Sequence, residues 1–313
     1  MVLFSERHGH QPARAAMRLE QLDDVLRVKT WDVLHIVLDT MLGPHADERL
    51  GTVALASQPQ PLRRRRASRA LIAVLRHVFG TPLDVARQTH TTAAVHQVRG
   101  LVLGSTGEHP WWAVLDCIEV LLTELGRAAD DSEGDHDSEE KTFITAQLNT
   151  VMETYGGGYR IIDGKVVPMT SASEVSAVEE ALSDSAQIER VRDQLESMLS
   201  ALSARPQDNY LRSAQEALDA VEALVRHLTG KNTLSVGLRA LRNRDGDPFH
   251  QTIYSAWEKL YGYRGDELQH AKGAHVDLAT ARYLVVQACA FCSLLLAQTP
   301  SNSGRAADAR AGV

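Results

Sequence analysis

Apolar side chains recur every third or fourth residue along most of this 313-residue chain, a period that suits helices and not strands. Over residues 12–42 the recurring positions are Met17, Leu19, Leu22, Val25, Leu26, Trp31, Val33, Leu34, Val37 and Leu38. Residues 67–80 predict a second helix that stops at a glycine. Pro82 opens another candidate helix. Residues 110–126 form a strongly apolar helix between Pro110 and Gly126, and residues 142–154 are helical again.

The period then breaks. Tyr159-Arg-Ile-Ile162, Asp163-Gly164 and Lys165-Val-Val-Pro168 read as a short hairpin, because Asp-Gly supplies the positive φ angles of a tight turn. The preceding Gly156–Gly158 lacks the spacing and the following helix of a phosphate loop. Ser171 and Glu174 make a capping box that starts the next helix. Four amphipathic helices follow within 184–298, the third covering Phe249 to Leu260, and they imply a bundle. The expected fold is mainly α: an N-terminal helical domain, a small β-hairpin and a C-terminal helical bundle.

The formal net charge is −7, from 33 basic and 40 acidic residues. Seven of the acids sit in residues 128–140, with no Lys or Arg among them. The rest of the chain then holds 33 of each sign, so the net charge says nothing against a local nucleic-acid site. A run this polar is read as a solvated linker. The domains expected are 1–127, helical; 128–140, acidic linker; 141–183, helix plus hairpin; 184–298, bundle; and 299–313, a disordered tail. Arg63, Arg64, Arg65 and Arg66 form the opposite block. They are candidates for a solvated helix start or loop, for RNA contact, or for a dock of the acidic run.

No run of about 18 uncharged apolar residues is present, so no membrane partner is expected. Cys117, Cys289 and Cys292 are too few for a disulfide framework, and the N-terminus lacks a signal-peptide core, which points to the cytoplasm. The apolar surroundings of Cys289 and Cys292 read as buried core thiols on a helix. His8 and His10 resemble a metal pair, but no third ligand is indicated by spacing. Neither a metal nor another cofactor is expected.

Chemistry concentrates in Tyr261-Gly-Tyr-Arg-Gly-Asp-Glu-Leu-Gln-His270. Arg264 can neutralise charge on a non-bridging phosphate oxygen. His270 can take the proton of a 2′-hydroxyl or give one to the leaving oxygen.

Several short motifs occur in a telling order. Phe4-Ser-Glu-Arg7 and Gly9 come first, then Leu26-Arg27 with Trp31, and Pro110-Trp-Trp112. The hairpin with Glu174 follows, then Asp219 to Gly230 and Leu260 to Ala271. In this order the chain resembles bacterial abortive-infection proteins of the AbiJ type, with an AbiJ-like N-terminal domain and a C-terminal domain of the HEPN class. The resemblance implies a helical bundle that dimerises and carries an Arg-x(4–6)-His ribonuclease motif. Arg264 and His270 match that spacing. It also implies an acid on a preceding helix near the pair, for which Glu222 stands, and Asp266 would take the polar role beside Arg264. Gln269 stands where relatives often have Arg, and Gly265 where they often have a polar residue.

The function expected is an anti-phage, metal-independent ribonuclease acting as a homodimer on host or phage RNA after a phage trigger. The alternative is a non-catalytic HEPN dimerisation, RNA-binding or regulatory module of a defence or toxin–antitoxin system, with Gly265 and Gln269 as its signature.

Overall fold

A computed structural model describes residues 22–43, 49–50, 62–104, 110–127, 139–169, 171–204, 208–244, 249–263 and 276–297. The chain divides into two compact units, Met1–Thr170 and Ser171–Val313. Among the described residues there are twelve helices and one two-stranded hairpin, so the protein is mainly α with a small β-hairpin.

Unit 1 contains α1 (Asp24–Leu42), α2 (Leu62–His77), α3 (Leu83–Gln88), α4 (Thr91–Leu103), α5 (Trp111–Gly126) and α6 (Glu139–Thr154). Asp23 starts α1 by accepting the Leu26 amide at 2.7 Å, which satisfies one of the free N–H groups of the first turn. The apolar face of α1, including Leu26, Leu34, Val37 and Leu38, is buried against α2, α4 and α6, and α2 also packs on α5. Arg27 lies inside this core, almost wholly excluded from water. Its guanidinium donates to the Leu22 carbonyl at 3.2 Å and to the Leu101 and Val102 carbonyls at 3.3 Å. Leu101 and Val102 belong to the last turn of α4, whose carbonyls have no helical partner, so the buried cation closes that helix end. Burial pulls the Arg27 pKa below the usual arginine value, and Asp24 partly opposes this.

The hairpin joins β1 (Arg160–Ile162) to β2 (Lys165–Val167), with Arg160 opposite Val167 and Ile162 opposite Lys165. Asp163 and Gly164 both have positive φ, 49° and 74°, as the sequence predicts for a tight Asp-Gly turn. Two strands alone are marginal in water. Here side chains from the helices complete them. Asn149 on α6 donates to the Ile161 carbonyl at 2.8 Å and accepts its amide at 2.7 Å, as a third strand would. Glu119 on α5 accepts the Val166 amide at 2.6 Å. Trp111 stacks on Tyr159 with ring centroids 5.6 Å apart.

Unit 2 contains α7 (Ala172–Asp184), α8 (Glu189–Ser203), α9 (Asp208–Thr229), α10 (Leu234–Arg242), α11 (Gln251–Tyr263) and α12 (Leu278–Ala297). The capping box at the start of α7 forms as expected: Ser171 accepts the Glu174 amide, and Glu174 accepts the Ser171 amide. Glu174 also receives Arg282 of α12 at 2.6 and 2.8 Å. The long helix α9 packs against α8, α10 and α12, and α12 packs on α7. By length and composition α12 could cross a membrane, but its face with Leu284, Val285, Ala288 and Leu295 is buried in the unit. Cys289 and Cys292 are free and fully buried on that helix. Burial raises both thiols, Cys292 to about 12, which leaves them as inert core side chains.

Three details differ from the sequence reading. Helix α2 starts at Leu62 and not at 67, so the four arginines form its first turns. Helix α11 continues past Leu260 through Gly262 to Tyr263. Helices α4 and α10 carry no clear signal, being short and, in α10, interrupted by Gly237.

Gly237 marks the closest approach of α10 to α9. A Cβ there would overlap the Val225 side chain. In a free helix Gly→Ala gains about 1 kcal/mol. Overpacking costs about 1–3 kcal/mol, so the clash should win. Gly237→Ala is expected to lower the urea midpoint, and Val225→Ala in the same chain to restore part of it.

Glu119 offers a pH test. Burial foremost raises its carboxyl above the usual value, and the Val166 amide partly offsets this. A raised acid penalises the folded state when ionised, so its cost fades as pH falls from neutral toward the ordinary glutamate value. Glu119→Gln keeps the acceptor for Val166 and removes the charge. It should melt higher than wild type at pH 7, and the gap should narrow toward pH 5. A lower melting point with a constant gap would contradict this.

Candidate functional site

The site proposed from sequence lies in unit 2, around the end of α11. Helix α9 buries Ala214, Leu218, Val221, Leu224 and Val225 in the bundle. It stops at Gly230, whose φ of 67° is the left-handed conformation favoured just beyond a helix. Glu222 interrupts the apolar run and is half-buried. Its Oε2 accepts a hydrogen bond of 2.5 Å from the Tyr261 hydroxyl. The acid that the resemblance places near the Arg–His pair thus bonds the last turn of α11.

The preceding turn of α11 has partners as well. Trp257 of α11 stacks on Phe291 of α12, with centroids 4.5 Å apart and planes 15° from parallel. Arg239 of α10 approaches Glu258 at 3.8 Å. Tyr261 is thus the partner of Glu222, a contact that sequence reasoning passed over. It was visible within the glycine-rich motif, but its partner lies 39 residues earlier in the chain. Arg264, Asp266 and His270 lie outside the described residues, as do His8 and His10.

The arginine block sits in unit 1. Arg63 is exposed and pairs with Glu140 at 2.7 Å, which ties the start of α2 to the start of α6. Glu140 is the last residue of the acidic run; residues 128–138 of that run lie outside the described residues. The pair borders an open apolar groove of about 350 Å³ lined by Ile36, Met41 and Phe143. Arg64 is buried, and Arg65 and Arg66 are half-buried, so the block is not a uniformly solvated surface. Among the described residues no group of three His, Cys, Asp or Glu side chains could hold a metal ion.

The fold and these sites define a helical protein of two units, with a buried-arginine core in the first and a tethered α11 in the second. The family model for AbiJ N-terminal domain 4 matches residues 2–184, more than half of the chain, and the chain belongs to that family. This makes it a member of an abortive-infection, phage-defence family. The match ends at Asp184, the last residue of α7, so it extends one helix beyond unit 1. No curated protein and no solved structure matches the chain.

Removing the Tyr261 hydroxyl should strip the bond to Glu222 without changing ring packing. For a half-buried bond to a carboxylate, Tyr261→Phe is expected to cost about 1–2 kcal/mol by urea unfolding. Glu222→Gln, which keeps an acceptor, should cost less. A loss from Tyr261→Phe that is undiminished in a Glu222→Ala background would mean that the bond carries none of the effect.

Proposed function

We propose that the chain is an abortive-infection effector whose second unit is a HEPN-class bundle that cleaves RNA without a metal. The observation that carries this is the Tyr261–Glu222 bond. It fixes the end of α11 three residues before Arg264, with an acid of α9 at that point. A catalytic guanidinium needs a rigid support, and a helix end tied by a charged hydrogen bond supplies one.

The chemistry follows from the side chains. His270, as the neutral imidazole, takes the proton from a ribose 2′-hydroxyl. The freed oxygen attacks the adjacent phosphorus in line, and the 5′-oxygen leaves with a proton donated by a His270 imidazolium. The products are a 2′,3′-cyclic phosphate and a 5′-hydroxyl. Arg264 neutralises the charge that grows on the non-bridging oxygens. Glu222 would act as a positioning residue through Tyr261, and Asp266 would orient the arginine. A homodimer would place two Arg–His pairs across a two-fold axis and grip more of the strand. The reducing cytoplasm fits three free buried thiols.

A second reading has its own support. The outer face of α12 exposes Tyr283 and Leu294, and its exposed positions Gln287 and Ala290 add no charge. Such a face suits a bundle that serves as a dimerisation or regulatory module without cleaving RNA.

RNA cleavage separates the two. The protein, alone and with an extract of phage-infected cells, is incubated with total RNA in excess chelator. Cyclic-phosphate ends are expected, and His270→Ala should lower their rate by roughly 10²–10⁴-fold, the usual share of a general acid or base. Equal rates for both proteins, or none under either condition, would leave the module reading.

A further inference from the structure

Unit 1 carries a concavity of about 290 Å³ between α2, α3 and the end of α5. Ile72 and Ala73 form a buried apolar floor, and Leu83 stands exposed at the edge. The walls are basic. Arg69 and Arg76 lie seven residues apart on α2, two turns along one face. His77 follows them, Arg87 comes from the last turn of α3, and Arg127 from just past α5.

Among the described residues Glu124 is the single carboxylate in the lining, and Arg127 already binds it at 2.6 Å. Among the described residues no acid pairs with Arg69, Arg76 or Arg87. Four guanidinium groups and one carboxylate therefore share one hollow. Helix C-termini favour cations, which accounts for Arg76, His77 and Arg87 one at a time. It does not account for Arg69, in the middle of α2, or for the convergence of three helices on one cup. Like charges that line one hollow repel, and a bound anion would relieve this.

We propose that this cup binds a nucleoside polyphosphate. The arginines would grip the phosphate chain through forked hydrogen bonds, for which the planar guanidinium is suited. The apolar floor and Leu83 would take the face of the base. The volume lies just below the usual range of ligand pockets, so the open side would leave part of the nucleotide in solvent. An RNA strand would need a basic groove that tracks several phosphates, with aromatic side chains for its bases. Among the described residues the lining has no aromatic ring except His77. Binding would give unit 1 a chemical signal to answer, whether or not unit 2 cleaves RNA.

The test is titration calorimetry on the full-length protein with ATP, GTP, inorganic tripolyphosphate and a 5′-hydroxyl RNA decamer. Saturable micromolar binding of at least one nucleotide is expected, weaker for tripolyphosphate, and falling as salt rises. Arg69→Ala with Arg76→Ala should weaken it at least tenfold. Arg212→Ala, on an exposed arginine of unit 2, should leave it unchanged. Arg69 and Arg76 reach into a half-open hollow, and circular dichroism would verify that the double variant folds. Should it not fold, Arg87→Ala, at an exposed position, gives the same reading with a smaller loss. The proposal is overturned by no nucleotide binding to wild type, by undiminished binding in the variants, by tripolyphosphate binding as tightly as the nucleotide, or by the decamer binding through these arginines while nucleotides do not.

Discussion

Unit 2 rests on the burial of α9. Its apolar face meets α8 on one side and α12 on another, and α10 comes close enough that only glycine fits at 237. Burying a Leu or Val contributes about 1.5–3 kcal/mol, so Leu218, Val221, Leu224 and Val225 together outweigh a single polar bond of this helix. That rigidity gives Glu222, a half-buried acid within the apolar run of α9, its meaning. Glu222 sits on a helix that cannot turn away, and Tyr261 reaches it from the end of α11. A motif that follows directly after Tyr263 starts from a fixed point.

Unit 1 is arranged around a different constraint, a cation in an apolar core. Arg27 is tolerated there because three backbone carbonyls receive it, two of them at the end of α4. The Leu26-Arg27 and Trp31 motif thus has a structural reading: Leu26 and Trp31 fill the core, and Arg27 ties α1 to α4. The Pro110-Trp111 motif has one as well, since Trp111 stacks on the hairpin residue Tyr159. These motifs build the family's domain, and the basic cup lies on it as a separate device.

Local signals were legible in the sequence. The helix from Trp111 to Gly126, the Asp-Gly turn, the capping box at Ser171 and the stop at Gly230 each depend on a few neighbouring residues. Gly262 was harder, because glycine permits a bend without requiring one, and here it stays helical. Long-range pairs were not legible. Glu222 could be singled out as an acid in an apolar helix, yet nothing local names Tyr261 as its partner. Arg63 and Glu140 are 77 positions apart, and docking to the acidic run was one of three readings of the arginine block. The cup escaped notice for the same reason, since α2, α3 and the end of α5 must first be packed before its arginines share a hollow.

If the chain defends by cleaving RNA, defence depends on chemistry at His270 and not merely on a folded bundle. Phage plating on cells that express the chain, with wild type and His270→Ala matched for soluble protein, separates the two. Wild type is expected to lower plating efficiency by orders of magnitude, and His270→Ala to restore it to that of cells without the protein. Full protection by His270→Ala would contradict RNA cleavage at His270.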